Sequence, residues 1–101
     1  MSRYMILDAD HNLVPADLMT WARFFDDRGA RRVGATDVEG VFVSTVFLGM
    51  DHSWGDEPPL WFETMVFGGP LDQEQRRYST WDEAEAGHAE LVEQVQRAVL
   101  Q

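Results

Sequence analysis

Two segments of the chain are rich in β-branched and aromatic residues and are apolar on both of the faces that a strand presents. Residues 41–48 read VFVSTVFL and residues 60–67 read LWFETMVF, a composition typical of β-strands. Successive side chains of a strand point to opposite faces, so Phe42 and Val43 would lie on different sides of a sheet. Strands that are apolar on both sides occur where both faces of a sheet are covered.

Two amphipathic helices are predicted to provide that cover. The first spans residues 15–27, because it begins with a proline, repeats apolar residues at helical spacing and is followed by Gly29 as a terminator. The second spans residues 81–99, where Thr80 and Glu83 have the spacing of a capping box and the apolar residues form one stripe.

Weaker strand patterns accompany these elements at residues 4–7, 32–36 and 75–78. A chain of 101 residues has the length of one domain. We therefore predict a single α+β domain over residues 1–101, in which an antiparallel β-sheet of about four to five strands is packed against two α-helices.

Two helices lying side by side cover one face of such a sheet and leave the other open. Leaving Phe42, Trp61 and Phe67 in water would forgo several kcal/mol of burial and invite aggregation. We expect the open face to be closed by a second copy, which makes a homodimer, or by a partner protein. Two alternatives are that the helices lie on opposite faces, or that the long loop of residues 49–59 folds over the sheet.

The charge of the chain restricts its partners. Eighteen acidic residues and eight arginines, with no lysine, give a formal charge of −10. Binding to nucleic acid or to an anionic membrane requires clustered basic residues, so we expect neither as a partner. A basic surface of another protein, such as one that normally binds nucleic acid, is a further candidate. No apolar run reaches the length of a membrane span and no signal peptide is present, so we expect a cytoplasmic protein.

The residues that could carry chemistry form no recognised motif. There is no cysteine, and the three histidines do not have metal-ligand spacing, so we expect no metal, no cofactor and no catalytic residue. Glu63 lies in an apolar strand, so its carboxylate must be paired with an arginine, exposed, or functional. His88 lies on the apolar stripe of the second helix, and we interpret it as a core or interface histidine bonded to a neighbour. The candidate interface or ligand residues are Phe42, His52, Trp54, Trp61, Glu63 and Phe67.

Three stretches carry a resemblance to known sequences: VSTVFLGMDH from residue 43, PPLWFETMVFGG from residue 58, and RYSTWDEA from residue 77. The chain resembles a group of small hypothetical proteins encoded by bacteriophages and prophages, which has no known activity. The resemblance implies a non-enzymatic accessory protein that acts on host proteins, such as a host factor or a defence system, in the cytoplasm of the host bacterium. A small protein that binds a nucleotide signal is the alternative, and an enzyme that uses His52 and Glu63 is a third.

Overall fold

The computed structural model of the chain describes residues 4–51 and 55–100. In these residues three helices and six strands form an α+β domain, which confirms the predicted fold class. The elements are β1 (Met5–Leu7), β2 (Leu13–Pro15), α1 (Leu18–Asp26), α2 (Arg28–Arg31), β3 (Arg32–Val38), β4 (Val41–Phe47), β5 (Phe62–Phe67), β6 (Gln75–Tyr78) and α3 (Trp81–Val99).

The main sheet has four antiparallel strands in the order β3-β4-β5-β6, so each strand pairs with its neighbour in the chain. Glu39 and Gly40 connect β3 to β4 with positive φ angles of 54° and 86°, as a two-residue hairpin turn requires. A bulge between Arg32 and Gly34 shifts the register at the start of β3. β1 and β2 form a separate two-stranded antiparallel sheet.

The core lies on one side of the main sheet, where α3 contacts all four strands. Two clusters of buried residues fill it. Fully buried Val43 packs with Leu91 of α3 in one cluster, and fully buried Phe47 packs with Ala84 of α3 in the other. Phe24 of α1 meets Phe47 edge to face at 5.9 Å between ring centroids. Both long helices therefore cover the same face.

The start of the first helix differs from the prediction. Pro15 pairs with Met5 in the small sheet, and α1 begins only at Leu18, where the side chain of Asp17 accepts a hydrogen bond from the amide of Thr20 at 2.8 Å. Asp17 is thus the N-cap that the prediction missed. The predicted terminator, Gly29, instead lies within the additional helix α2.

The remaining elements follow the sequence closely. α3 spans residues 81–99 as predicted, and Thr80 caps it by accepting a hydrogen bond from the amide of Glu83 at 3.1 Å. The two principal strands are slightly shorter than predicted and occupy residues 41–47 and 62–67.

Candidate functional site

The face of the main sheet that points away from α1 and α3 is the principal candidate surface, and we call it the open face. Phe42 and Phe67 lie opposite each other in neighbouring strands, and their rings stack with centroids 6.3 Å apart. Their exposed fractions are 40% and 47%. Among the described residues no helix covers this pair, so the predicted excess of apolar surface is present.

Alternation along the strands decides which side chains reach the open face. Val43, Thr45 and Phe47 of β4 are buried beneath α3, whereas the residues between them point the other way. The side chains of the open face, in register across the sheet, are Arg32, Ala35, Asp37, Phe42, Ser44, Val46, Glu63, Met65, Phe67, Gln75 and Arg77.

A groove of about 240 Å³ runs along β4 on the open face, from Val46 to Phe42. We call it the arginine groove, and it is lined by Arg28, Arg31, Arg32, Phe42, Ser44 and Val46. Arg31 is fixed there because its Nε donates to the backbone oxygen of Phe47 at 3.0 Å and its guanidinium lies 3.9 Å from the ring centroid of Phe25. The groove therefore has one rigid wall.

The groove is a positively charged spot on an acidic protein. Burial, with a smaller contribution from the neighbouring charge of Arg28, lowers the pKa of Arg31 below its ordinary value. In the part of the chain that the structure describes, neither Arg28 nor Arg32 forms an ion pair with a carboxylate. A carboxylate, a phosphate or the face of an aromatic ring is the chemistry that such a groove attracts.

Glu63 lies at the far edge of the open face in a polar cluster. Nε of Arg77 donates to a carboxylate oxygen of Glu63 at 3.0 Å, and the amide of Gln75 donates to the same oxygen at 2.5 Å. The interpretation that an arginine pairs with this acid is confirmed. The pair neutralises the charge of Glu63 within the surface.

His88 points to the covered face of the sheet. Its two ring nitrogens lie 2.7 Å from Oγ1 of Thr45 and 2.9 Å from Oγ1 of Thr36, and Thr45 is fully buried. Burial lowers the pKa of the imidazole below 6.5. The hydroxyl of Thr45 cannot meet a substrate, so the arrangement is structural, which confirms the interpretation of His88 as a core histidine bonded to its neighbours.

A second cleft, of about 570 Å³, lies between the β1–β2 turn and the start of α3. His11 stacks on Trp81 there, with ring centroids 3.7 Å apart, and the surrounding acidic residues are Asp10, Asp82 and Glu85. Within the described ranges no three histidine or carboxylate residues have an arrangement that could hold a metal ion. The cleft is acidic, but its geometry specifies no ligand.

The structure brings together only some of the candidate residues. Phe42 and Phe67 form one apolar patch, whereas Glu63 lies opposite Val46 at the other end of the open face. Trp61 is half-buried and stacks against Phe47 at 6.5 Å between ring centroids. His52 and Trp54 lie outside the described residues.

The arginine groove is a feature that the candidate list lacks. The sequence did contain a signal, because Arg28, Arg31 and Arg32 are the densest basic cluster of a chain with eight arginines. Their relation to Phe42 follows from the short helix α2 and the bulge after Arg32, neither of which the sequence pattern predicts.

Comparison with known proteins yields no relative: no family model, no curated protein and no solved structure matches the chain. Among the described residues, no helix is both long enough and apolar enough to cross a membrane.

Proposed function

We propose that this protein is a non-enzymatic interaction module that self-associates through its open face. The observation that carries the proposal is the exposure of Phe42 and Phe67 on a sheet whose opposite face already holds both long helices. Two adjacent aromatic rings that are exposed at one end of an uncovered sheet face are typical of the buried part of an interface.

The size of the face sets the expected affinity. Four strands spaced about 4.8 Å apart and about six residues long give a face of roughly 19 by 20 Å. Two such faces bury about 760 Å² in total, which is less than the roughly 1,200 Å² of stable protein interfaces and within the range of weak, transient ones. We therefore expect a dimer with a dissociation constant in the micromolar range rather than an obligate dimer.

Light scattering coupled to size-exclusion chromatography, over a concentration series, tests the self-association. The wild type is expected to pass from monomer to dimer. A Phe42→Ser/Phe67→Ser variant is expected to stay monomeric and folded. The matched control is Leu18→Ser/Met19→Ser, which removes two similarly exposed apolar residues from α1 (53% and 63%) and should leave the dimer intact.

Two outcomes would contradict the proposal. A wild type that stays monomeric into the hundred-micromolar range has no self-association to explain. A dimer that is lost in the Leu18→Ser/Met19→Ser variant and kept in the Phe42→Ser/Phe67→Ser variant would place the interface on α1.

The wider role that we propose is that of an accessory protein of phage origin that acts on a host protein. The resemblance to small phage proteins supports this setting. Pairing through the open face would leave the outer face of α3 accessible on both sides of the dimer, and five exposed acidic residues lie there: Asp82, Glu83, Glu85, Glu90 and Glu93. A host protein with a basic surface is the partner class that this charge favours.

Site-specific photo-crosslinking in the bacterial host tests the wider role. A crosslinker that replaces Glu90 is expected to capture one specific host protein with a basic surface, and a crosslinker that replaces Phe42 is expected to capture a second copy of the chain. If the position of Glu90 captures no specific protein, the proposal of a host partner is wrong, whereas the self-association is tested separately.

The arginine groove favours a second candidate function, the binding of an anionic small molecule such as a nucleotide. Arg28 and Arg32 could contact phosphate, and Phe42 offers a ring on which a base can stack. A thermal-shift screen against nucleotides and cyclic dinucleotides tests it, since a ligand at 100 times its dissociation constant adds about 2.7 kcal/mol of stability. A ligand that occupies the groove should also dissociate the dimer, and the absence of any shift would exclude this candidate.

A further inference from the structure

Apart from the Glu63–Arg77 ion pair, the charges of the open face in the described residues are segregated at its two ends. Arg32 lies opposite Val46 at one end, beside Arg28, and Asp37 lies opposite Phe42 at the other end. Both Arg32 and Asp37 are exposed. In the described part of the chain neither residue is in an ion pair, although Asp37 accepts a hydrogen bond from the amide of Gly40 at 3.0 Å.

The midpoint between these ends is well defined by the register. Ser44 lies opposite Ala35 in β3 and opposite Met65 in β5. Phe42 and Val46 are two residues to either side of Ser44 along β4. A two-fold axis that crosses the strands at Ser44 would therefore exchange the positions of Phe42 and Val46.

The same axis would exchange the positions of Arg32 and Asp37, because these residues pair with Val46 and Phe42 respectively. In a face-to-face dimer of this kind, Arg32 of each copy faces Asp37 of the other. An axis along β4 would instead place Arg32 opposite Glu63 of the other copy, which is already paired with Arg77, and Asp37 opposite Phe67. Two-fold symmetry is by far the commonest in homodimers and repeats every contact twice.

We infer that the second copy lies with its strands reversed, about a two-fold axis that crosses the strands at Ser44, so that Arg32 of each copy pairs with Asp37 of the other. This inference rests on the proposed self-association. In that orientation the ring of Phe42 from one copy enters the arginine groove of the other, where guanidinium groups can lie against its face. Phe67 lies over the Glu63–Arg77 pair of the other copy.

Charge exchange between two variants tests the orientation. Arg32→Asp alone places an acid opposite Asp37, and Asp37→Arg alone places a base opposite Arg32, so each homodimer gains two repulsive contacts. We expect each variant to dimerise about tenfold or more weakly than the wild type, because attractive contacts become repulsive at two places. An equimolar mixture restores both ion pairs and is expected to form heterodimers with the affinity of the wild type.

The double variant Arg32→Asp/Asp37→Arg supplies the same test in one chain and is expected to regain the homodimer. The control for net charge is Arg23→Asp, at an exposed arginine of α1. It changes the net charge by the same amount as Arg32→Asp and should leave the affinity of the dimer unchanged. Asp37→Arg loses the hydrogen bond from the amide of Gly40 and could unfold for that reason. In that case Arg32→Asp is compared with Arg32→Asp/Asp37→Asn. Asparagine can keep the hydrogen bond and removes the repulsion between the introduced aspartate and position 37 of the other copy, so the second variant is expected to dimerise more strongly than the first. Thermal melting of each variant establishes that it is folded.

The outcomes separate the orientation from the self-association. Weak single variants and a restored mixture support the strand-reversed dimer. If the wild type dimerises but the single variants keep its affinity, or if the mixture is no stronger than the single variants, this orientation is wrong and the proposed self-association stands. If the wild type remains monomeric at every concentration, the proposed function itself is wrong.

Discussion

Nδ1 of His88 lies 2.7 Å from Oγ1 of Thr45, beneath the centre of the main sheet. Oγ1 of Thr45 is in turn 2.5 Å from Oγ1 of Thr64, and Nε2 of His88 is 2.9 Å from Oγ1 of Thr36. Each hydroxyl can donate or accept, so both neutral tautomers and the imidazolium can be hydrogen-bonded here. Burial is what distinguishes the charge states, and it favours the neutral imidazole.

The burial of His88 predicts a pH dependence of stability. Its pKa in the folded protein is below the ordinary value of 6.5, so below that value the unfolded chain binds more protons than the folded one. The contribution of His88 to the free energy of unfolding is then complete above about pH 6.5 and is lost as the pH falls through the folded pKa. Urea denaturation between pH 4.5 and about pH 8 measures it.

A His88→Gln variant is the direct check, because glutamine can keep hydrogen bonds to the threonines and does not titrate. The decline in stability below about pH 6.5 is expected to become shallower in this variant. Identical profiles for the wild type and His88→Gln would contradict the prediction.

Removing the hydroxyl of Tyr78 is expected to cost no stability. This buried hydroxyl has no hydrogen-bond partner among the described residues, and such a group carries a desolvation penalty without a compensating bond. Tyr78→Phe should therefore leave the free energy of unfolding unchanged or raise it by about 1 kcal/mol. Thr64→Val, which removes a buried hydroxyl bonded to Thr45, should lower it by about 1 kcal/mol or more. A clear loss in Tyr78→Phe would show that the hydroxyl is satisfied.

The cap of α3 gives a prediction that starts from the sequence. The hydroxyl of Thr80 accepts a hydrogen bond from the amide of Glu83 at 3.1 Å. Thr80→Ala should lower the free energy of unfolding by about 1 kcal/mol, because the first turn of the helix loses its partner. Ser79 is the neighbouring hydroxyl that could have served as the cap, and Ser79→Ala is expected to be nearly neutral. If Thr80→Ala and Ser79→Ala lower the free energy of unfolding equally, Thr80 is not the residue that caps α3.

Short-range signals in the sequence were sufficient for much of the fold. α3 is specified by its capping box and its apolar stripe, and β4 and β5 by their β-branched and aromatic residues. The uncovered face could also be predicted, because both sides of two strands are apolar and two helices can cover only one of those sides. In each case the signal lies in residues that are neighbours along the chain or along one strand.

The parts that sequence reasoning missed depend on contacts between distant residues. Pro15 lies in a three-residue strand only because Met5 pairs with it, and an isolated strand of that length has no pattern of its own. Arg31 reaches the groove because it bonds to the backbone oxygen of Phe47, sixteen residues away. The arginine groove is therefore a tertiary feature, and only the clustering of its basic residues can be seen in the sequence.

Gly87→Ala is expected to destabilise the protein, against the preference of a helix for alanine. Gly87 lies within α3, where alanine is favoured over glycine by about 1 kcal/mol. A Cβ atom at this position would lie 2.3 Å from the ring and hydroxyl of Tyr78, and that ring packs in the core cluster of Phe47 and Phe62, so it has little room to move. We expect a net loss of about 1–3 kcal/mol in the free energy of unfolding, measured by urea denaturation, as for other overpacked cores.

The matched control is Gly29→Ala in α2, where the nearest atom to an added Cβ is 3.5 Å away and the substitution should be neutral or stabilising. The effect of Gly87→Ala should shrink in a Tyr78→Val background, because the smaller side chain makes room for the Cβ atom. Additive effects of the two changes would mean that the ring of Tyr78 is not what excludes a side chain at this turn of the helix.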